Sequence, residues 1–176
     1  MNEFLETREY SRYRPLQYWT LLAMLTAASS ALQILESPLP RLLPWLKPGL
    51  ANSLALYALI RLSPGFCVGV VFLRTILTGL VLGGLFSPAN LLSLAGGLAG
   101  ALSMWVGFLL FPRRLSLYGI SVLGATANNV AQLALVQFLF ASGFPLWLHL
   151  SLMIWVSIPS GLIVGHMTRE LLRRTA

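Results

Sequence analysis

Four polar side chains lie inside long apolar segments, and they are the residues of this sequence best suited to binding chemistry. Arg74 lies near the middle of one segment, and Asn128, Asn129 and Gln132 interrupt another. A guanidinium group and three carboxamides supply one positive charge and many hydrogen-bond donors and acceptors. Since a polar group in apolar surroundings must find partners, these side chains are expected to face the protein interior.

Two interpretations of these side chains remain open. Arg74 either faces a ligand or a gate, or it pairs with helix carbonyls and polar side chains and fixes the packing. The carboxamides either line a polar pocket or join neighbouring helices by hydrogen bonds. All five glutamates lie outside the apolar segments or at their edges, so no acidic partner for Arg74 is expected among the helices. An anionic ligand would supply that charge.

Several catalytic chemistries are excluded by what the sequence lacks. It contains no aspartate, so it cannot build a paired-aspartate magnesium site or an Asp-based triad. Its single cysteine, Cys67, is interpreted as a packing residue. His149 and His166 lie 17 residues apart in one apolar segment and cannot share a metal. The sequence therefore predicts a protein that is not an enzyme and that has no metal and no cofactor.

Composition indicates the bilayer as the environment of the chain. Of its 176 residues 57% are hydrophobic and 10% are charged, and the mean hydropathy is +0.78. A soluble protein carries about 25% charged residues. The net charge of +7 comes from basic residues at the ends of apolar segments. That distribution is typical of membrane topology and not of a nucleic-acid partner.

The pattern predicts an all-α fold, a polytopic membrane protein with a six-helix transmembrane bundle and both termini cytoplasmic. With the amino terminus inside, nine of the twelve basic residues are cytoplasmic, as the positive-inside rule requires. The second segment is short for a full crossing. The predicted apolar segments are about 18–35, 50–62, 66–86, 91–111, 117–141 and 146–167.

Three regions are expected along the chain. Residues 1–16 form a cytoplasmic polar leader, 17–168 the six-helix membrane domain, and 169–176 a cytoplasmic basic tail. Within the membrane domain, four prolines in residues 36–49 forbid a spanning helix, so this segment is expected to be an outer proline-rich loop. Trp45 in this loop is expected at the level of the lipid headgroups.

Small residues recur at every fourth position of several segments, which lets helix backbones approach closely. In the first segment they are Ala23, Ala27 and Ala31. This alanine face either packs within the bundle or docks a partner membrane subunit.

Four motifs in order resemble a bacterial membrane family called Gx transporters, also labelled heptaprenyl diphosphate synthase component I. The likeness covers residues 35–137. The family pattern has histidine where this chain has Asn128, so a role that needs an imidazole there is not carried over. The motifs are Lys47 to Asn52, Arg74 with 77–84, Ser93 to Gly97, and Gly119 to Ala125 followed by Asn129 and Gln132.

The family is similar in architecture to the substrate-binding S-components of energy-coupling factor transporters. That resemblance implies an outward-facing site closed by the loop after the first helix. It also implies that the small-residue first helix, with Ala23, Ala27 and Ala31, docks on a transmembrane coupling subunit that works with ATPases. The expected location is the bacterial cytoplasmic (inner) membrane.

Three functional hypotheses follow. The first is a membrane subunit for uptake of a small anionic or amphipathic nutrient or cofactor precursor. The second is a non-catalytic accessory component of polyprenyl diphosphate synthesis, and the third is a packing subunit of a membrane redox or biosynthetic complex. Under the first hypothesis the substrate-binding residues are Arg74, Asn128, Asn129, Gln132 and Asn52, with Lys47 and Trp45 as a lid.

Overall fold

The chain is all-α, as predicted, in a computed structural model that describes residues 15–37, 49–111, 114–140 and 146–175. These residues form six helices and contain no strand. The helices are α1 (Pro15–Glu36), α2 (Asn52–Arg61), α3 (Pro64–Val81), α4 (Pro88–Leu110), α5 (Leu117–Phe140) and α6 (Leu146–Arg174).

Five of the six helices are long and apolar enough to cross a membrane, and the exception is α2. The ten residues of α2 extend about 15 Å, which is half of a hydrocarbon core about 30 Å thick. Most of α2 is buried, with Ala55, Leu56 and Ala58 fully enclosed. The chain is a polytopic membrane protein, while the number of crossings and the cytoplasmic placement of both termini stay predictions.

Serine–proline pairs begin two of the helices. Ser63 caps α3 by accepting a hydrogen bond from the backbone of Phe66, with Pro64 as the first helical residue. Ser87 and Pro88 begin α4 in the same way. Proline suits the first position of a helix because its missing N–H would have no helical acceptor there.

The third predicted segment continued to Phe86, but α3 ends at Val81. Gly83 has a positive φ of 68°, and the N–H groups of Gly83 and Gly84 donate back to Leu80 and Gly79. This is a Schellman motif, which needs a residue such as glycine in the left-handed region. The apolar residues up to Phe86 therefore form a turn.

The last helix is longer than predicted, since α6 continues past residue 167 to Arg174. It contains Pro159. No break separates the membrane domain from the basic tail at residue 168, and the boundaries assigned to the regions of the chain stay predictions.

The helices pack as two groups, α1–α2–α3 and α4–α5–α6. The most extensive contacts join α4 to α5 and α5 to α6, and α1 packs mainly on α3. Glycines allow the close approach in the second group, as predicted from their spacing. A Cβ on Gly161 would lie 2.5 Å from Cα of Val122, and one on Gly100 would lie 3.0 Å from the carbonyl oxygen of Gly124.

Helix α1 turns its polar side inward and its apolar side outward. Ala23, Ala27 and Ala31 are exposed on its outer face. The buried face carries Thr26, Ser29, Ser30, Gln33 and Glu36. This inside-out arrangement suits a helix surrounded by lipid, and it directs polar groups toward the cleft between the two helix groups.

Candidate functional site

Arg74 lies in the interior near the middle of α3, as predicted, with 4% of its surface exposed. Its Nη1 donates to Ser29 Oγ at 3.2 Å, and its Nη2 donates to Asn52 Oδ1 at 2.5 Å. The guanidinium therefore joins α1 to the first residue of α2.

The start of α2 is fixed against α1 at the same place. The hydroxyl of Ser29 donates to the carbonyl of Ala51 at 3.1 Å, and the backbone N–H of Leu50 donates to Oε1 of Glu36. Gly49 precedes this turn with a positive φ of 72°, which glycine adopts without steric cost. The amino-terminal end of α2, with its partial positive charge, thus lies beside Arg74.

The expectation that no acid accompanies Arg74 among the helices is wrong. Glu36, the last residue of α1, is 4% exposed. It lines the same cavity as Arg74 and interacts with it electrostatically. Seven residues separate Glu36 from Ser29, so two helical turns place both on the buried side of α1.

The carboxamides of α5 point in two directions. Asn129 donates to Ser157 Oγ on α6 at 2.9 Å, and Ser157 donates to the carbonyl of Met153 at 2.6 Å. Asn128 donates to Asn129 Oδ1 at 3.3 Å. Asn128 and Gln132, one turn apart on α5, face the cleft between the helix groups. Asn129 therefore joins helices, whereas Asn128 and Gln132 belong to the cleft.

One polar cavity, here called the Arg74 cavity, collects these groups between the two helix groups. Its space between atoms is about 300 Å³, including the part open to solvent. The enclosed part has room for one or two water molecules, at about 10–15 Å³ each. The described residues that line it are Gln33, Glu36, Gly49, Ala51, Asn52, Arg74, Ser93, Asn128 and Gln132.

A second polar cavity adjoins the first. Gly49, Asn52 and Asn128 line both. The second cavity continues between α5 and α6 past Asn129 and Ser160. Polar side chains therefore follow one path through the centre of the bundle.

Glycines of α4 make room for the cavity side chains. A Cβ on Gly96 would lie 2.7 Å from Asn128 Oδ1 and 2.7 Å from Gln132 Nε2. A Cβ on Gly97 would lie 3.4 Å from Nη2 of Arg74. The Gly96–Gly97 pair thus allows the guanidinium and both carboxamides to approach α4.

Two groups on the cavity have no hydrogen-bond partner among the residues that the structure describes. One is Nε of Arg74, which is fully enclosed. The other is the carboxamide of Gln132, which is 5% exposed and makes no hydrogen bond in the described ranges. Leaving an enclosed polar atom such as Arg74 Nε unpaired costs about 1–3 kcal/mol, so it calls for a specific explanation.

Of the predicted substrate-binding residues, the structure brings four together: Arg74, Asn52, Asn128 and Gln132. Asn129 lines the adjoining cavity. Lys47 and Trp45, the predicted lid, lie outside the described residues.

Sequence reasoning missed the contribution of α1 to the cavity. Gln33 donates to Ser93 Oγ of α4 at 3.1 Å, which links the two helix groups beside Glu36. The available signal was the helical spacing of Ser29, Gln33 and Glu36, which puts three polar residues on one face of an apolar helix.

Comparison with known proteins assigns a family. The sequence model described as heptaprenyl diphosphate synthase component I matches residues 25–171, which is most of the chain. The chain belongs to this family. A search of the curated proteins and a search of the solved structures gave no match.

This result confirms the resemblance to the heptaprenyl diphosphate synthase component I family. The similarity to S-components of energy-coupling factor transporters stays a prediction. The match includes α2 to α5 in full, the second half of α1 and most of α6. The nine described residues that line the Arg74 cavity therefore all lie within the family region.

Proposed function

We propose that this protein is a membrane subunit that binds a small polar ligand in the Arg74 cavity for uptake across the bacterial cytoplasmic membrane. The observation that carries the proposal is that two groups line one cavity from opposite helix groups: Arg74, whose enclosed Nε has no hydrogen-bond partner among the described residues, and Gln132, whose carboxamide makes no hydrogen bond there. A bound molecule would pair with both.

The charge at the centre of the cavity suits an acidic group on the ligand. Arg74 retains unused N–H donors, because the two hydrogen bonds to Ser29 and Asn52 leave three of its five N–H groups for other acceptors. The amino-terminal end of α2 adds a partial positive charge beside it. A short helix whose amino terminus points at an anionic substrate group is a recurring arrangement in membrane transporters.

Ligand entry requires the cleft to widen, because the enclosed space in this structure is small. The contacts that would open are those of α1 with its neighbours: Gln33 to Ser93, Ser29 to Ala51, and Glu36 to Leu50. In the described residues α1 has no extensive packing against α5 or α6. It is therefore the helix best placed to move.

The energy for uptake would come from outside this chain. We propose a transmembrane coupling subunit and ATPases as partners, with Ala23, Ala27 and Ala31 as the docking face. These alanines lie on the exposed side of α1, where small side chains allow a partner helix to approach closely. The predicted lid residues Lys47 and Trp45 would complete the site.

The family name favours a second candidate, a non-catalytic accessory component of polyprenyl diphosphate synthesis. Elongation of prenyl chains needs magnesium, which prefers carboxylate ligands. This chain contains no aspartate. In this role the protein would serve a catalytic partner and would not itself elongate a prenyl chain.

Substitution of Gln132 by methionine tests the binding proposal. Methionine keeps the length of the side chain and removes the unpaired carboxamide. We expect the ligand-free protein to be about as stable as the wild type, because the Gln132 carboxamide makes no hydrogen bond to the described residues that the substitution would remove. Occupancy by a low-mass ligand, measured by native mass spectrometry of the purified protein, should fall about tenfold if the carboxamide bonds a charged group.

The matched control is Gln17→Met, which alters an exposed glutamine near the start of α1. This variant should retain the ligand at the wild-type level. A wild-type protein with no bound low-mass molecule, or equal occupancy in the two glutamine variants, would refute the binding proposal.

The two candidate functions are separated by an activity measurement. The purified chain, supplied with allylic and isopentenyl diphosphates and magnesium, should not extend the allylic substrate into a longer prenyl diphosphate. Product formation by the chain alone would favour synthesis over uptake.

A further inference from the structure

We infer, on the basis of the proposed function, that the ligand is amphoteric: one small molecule carries both an acidic group, which meets Arg74, and a basic group, which meets Glu36. The inference comes from the charges of the cavity wall. Of the lining residues that the structure describes, Arg74 and Glu36 are the charged pair, and the remaining polar ones are neutral amides and a hydroxyl.

The position of the Glu36 carboxylate is set by the fold. Glu36 ends α1, and the backbone N–H of Leu50 donates to its Oε1. The side chain is buried and lies close enough to Arg74 for the two charges to interact. A ligand that reaches Arg74 therefore also experiences the negative charge of Glu36.

The two fixed charges select against ligands with a single charge. A simple carboxylate is attracted by Arg74 and repelled by Glu36, and a simple amine experiences the reverse. A molecule with both charges gains from both residues when it lies in the matching orientation. Because charges interact more strongly in a protein interior than in water, this selection is stronger than it would be at a surface.

The neutral lining suits the remainder of such a molecule. Gln132, Asn128 and Ser93 offer donors and acceptors without a further charge. The unpaired carboxamide of Gln132 can accept from an ammonium group or donate to a carboxylate.

Three sets of matched probes test the inference on the full-length protein in lipid nanodiscs. The amphoteric set is glycine, β-alanine and γ-aminobutyrate. The second set is acetate, propionate and butyrate, and the third is methylamine, ethylamine and propylamine. Affinities measured by thermal stabilisation or calorimetry should show at least one amphoteric probe bound about tenfold more tightly than its matching acid and amine.

A Glu36→Gln variant tests the role of the carboxylate. Glutamine retains an oxygen that can accept from Leu50, and it removes the negative charge. The preference for the amphoteric probe over its matching acid should fall about tenfold, mainly because the acid binds more tightly. Glu170→Gln changes a carboxylate near the end of α6, with 42% of its side chain exposed, and should leave the preference unchanged.

Tighter binding of an acid than of its amphoteric match in the wild type would overturn the inference, and so would a preference that Glu36→Gln leaves unaltered. Absence of binding by all three sets would also overturn it. The comparison among the wild-type affinities is decisive even if Glu36→Gln fails to fold. The proposed function is judged separately by the dependence of the retained ligand on Gln132, so a purely anionic ligand would refute the inference alone.

Discussion

Arg74 has two roles in this structure, because the same guanidinium holds the bundle together and faces the cavity. Its donations to Ser29 and Asn52 join α1, α2 and α3. Its Nε has no partner among the residues that the structure describes. The two interpretations that the sequence left open, packing and ligand binding, are therefore compatible at this residue.

Substitution of Arg74 should separate charge from hydrogen-bond geometry. Arg74→Met is expected to lower the free energy of unfolding by about 3–5 kcal/mol, because it leaves the buried Glu36 carboxylate uncompensated. Arg74→Lys keeps the charge but cannot hold Ser29 and Asn52 together in the same planar geometry, so we expect a loss of about 1–2 kcal/mol. Unfolding in mixed detergent micelles measures both values.

Arg173→Met is the control for the loss of an arginine as such. Its side chain is 74% exposed and, among the residues that the structure describes, forms its ion pair with Glu170 on the same helix. Such surface pairs contribute about 0–1 kcal/mol. An Arg74→Met protein as stable as Arg173→Met would contradict the role assigned to the buried guanidinium.

The sequence predicted the cavity residues on α3 and α5, namely Arg74, Asn128 and Gln132. It did not predict those on α1. A lone arginine among apolar residues must be buried and partnered, so Arg74 stood out. Glu36 did not, because its place at the end of an apolar segment looked like the start of a loop. The hydrogen bonds of Glu36 with Leu50 and of Ser29 with Ala51 show that the start of α2 returns to the end of α1.

Among the elements, the short helix α2 decides where the site lies. It is half the length of a crossing helix, is enclosed by α1, α3, α4 and α6, and begins at the cavity. Apolar length predicted its shortness, since the segment 50–62 is brief. Its central position was not predictable, because burial on all sides leaves no polar face to reveal its neighbours.

The sequence predicts where some helices begin better than where they end. The serine–proline pairs before α3 and α4 mark the starts locally. The end of α3 required the backbone conformation of Gly83, whose positive φ cannot be read from hydropathy. The extension of α6 to Arg174 depends on packing at its end, where Thr168 donates to the carbonyl of Ser53 and Arg61 donates to that of Leu172.

Close packing between α5 and α6 should be sensitive to a single methyl group. In Gly161→Ala the new Cβ would lie 2.5 Å from Cα of Val122, a backbone atom that cannot turn aside. We expect a loss of about 1–3 kcal/mol in the free energy of unfolding, the usual cost of overpacking.

Gly69→Ala is the matched control within α3. Its Cβ would meet only Leu22 Cδ1 at 3.5 Å, an ordinary contact. Because alanine favours helix over glycine by about 1 kcal/mol, this variant should be neutral or more stable. Equal losses of unfolding free energy in both variants would contradict the close contact between α5 and α6 at Gly161.

For the whole molecule, the central feature is a cleft between two groups of three helices. The α1–α2–α3 group supplies both charges, and the α4–α5–α6 group supplies Ser93 and the carboxamides of Asn128 and Gln132. Relative movement of the groups would change every distance across the cavity at once. A ligand bound in the cleft would therefore respond to the arrangement of the bundle.

Cysteine labelling tests the prediction of six crossings with both termini in the cytoplasm. In a Cys67→Ala background, Gln17→Cys and Thr175→Cys should be protected from a membrane-impermeant maleimide in intact cells. Phe86→Cys, in the exposed turn between α3 and α4, should react. Permeabilised cells, in which all three should react, provide the control.

The short helix α2 makes this experiment informative about the number of crossings. If α2 did not complete a crossing, positions 17 and 175 would lie on opposite sides of the membrane. Reaction of only one of them in intact cells would contradict six crossings. Protection of Phe86→Cys with reaction of the other two would reverse the orientation.

The central claim is that Arg74 and Gln132 meet a bound molecule in a shared cavity. An experimental density map of the protein in nanodiscs, purified without added ligand, tests it most directly. The account predicts a small molecule within hydrogen-bond distance of the Arg74 guanidinium and the Gln132 carboxamide. A map in which these two side chains bond to each other or to neighbouring helices, with no molecule between them, would contradict it.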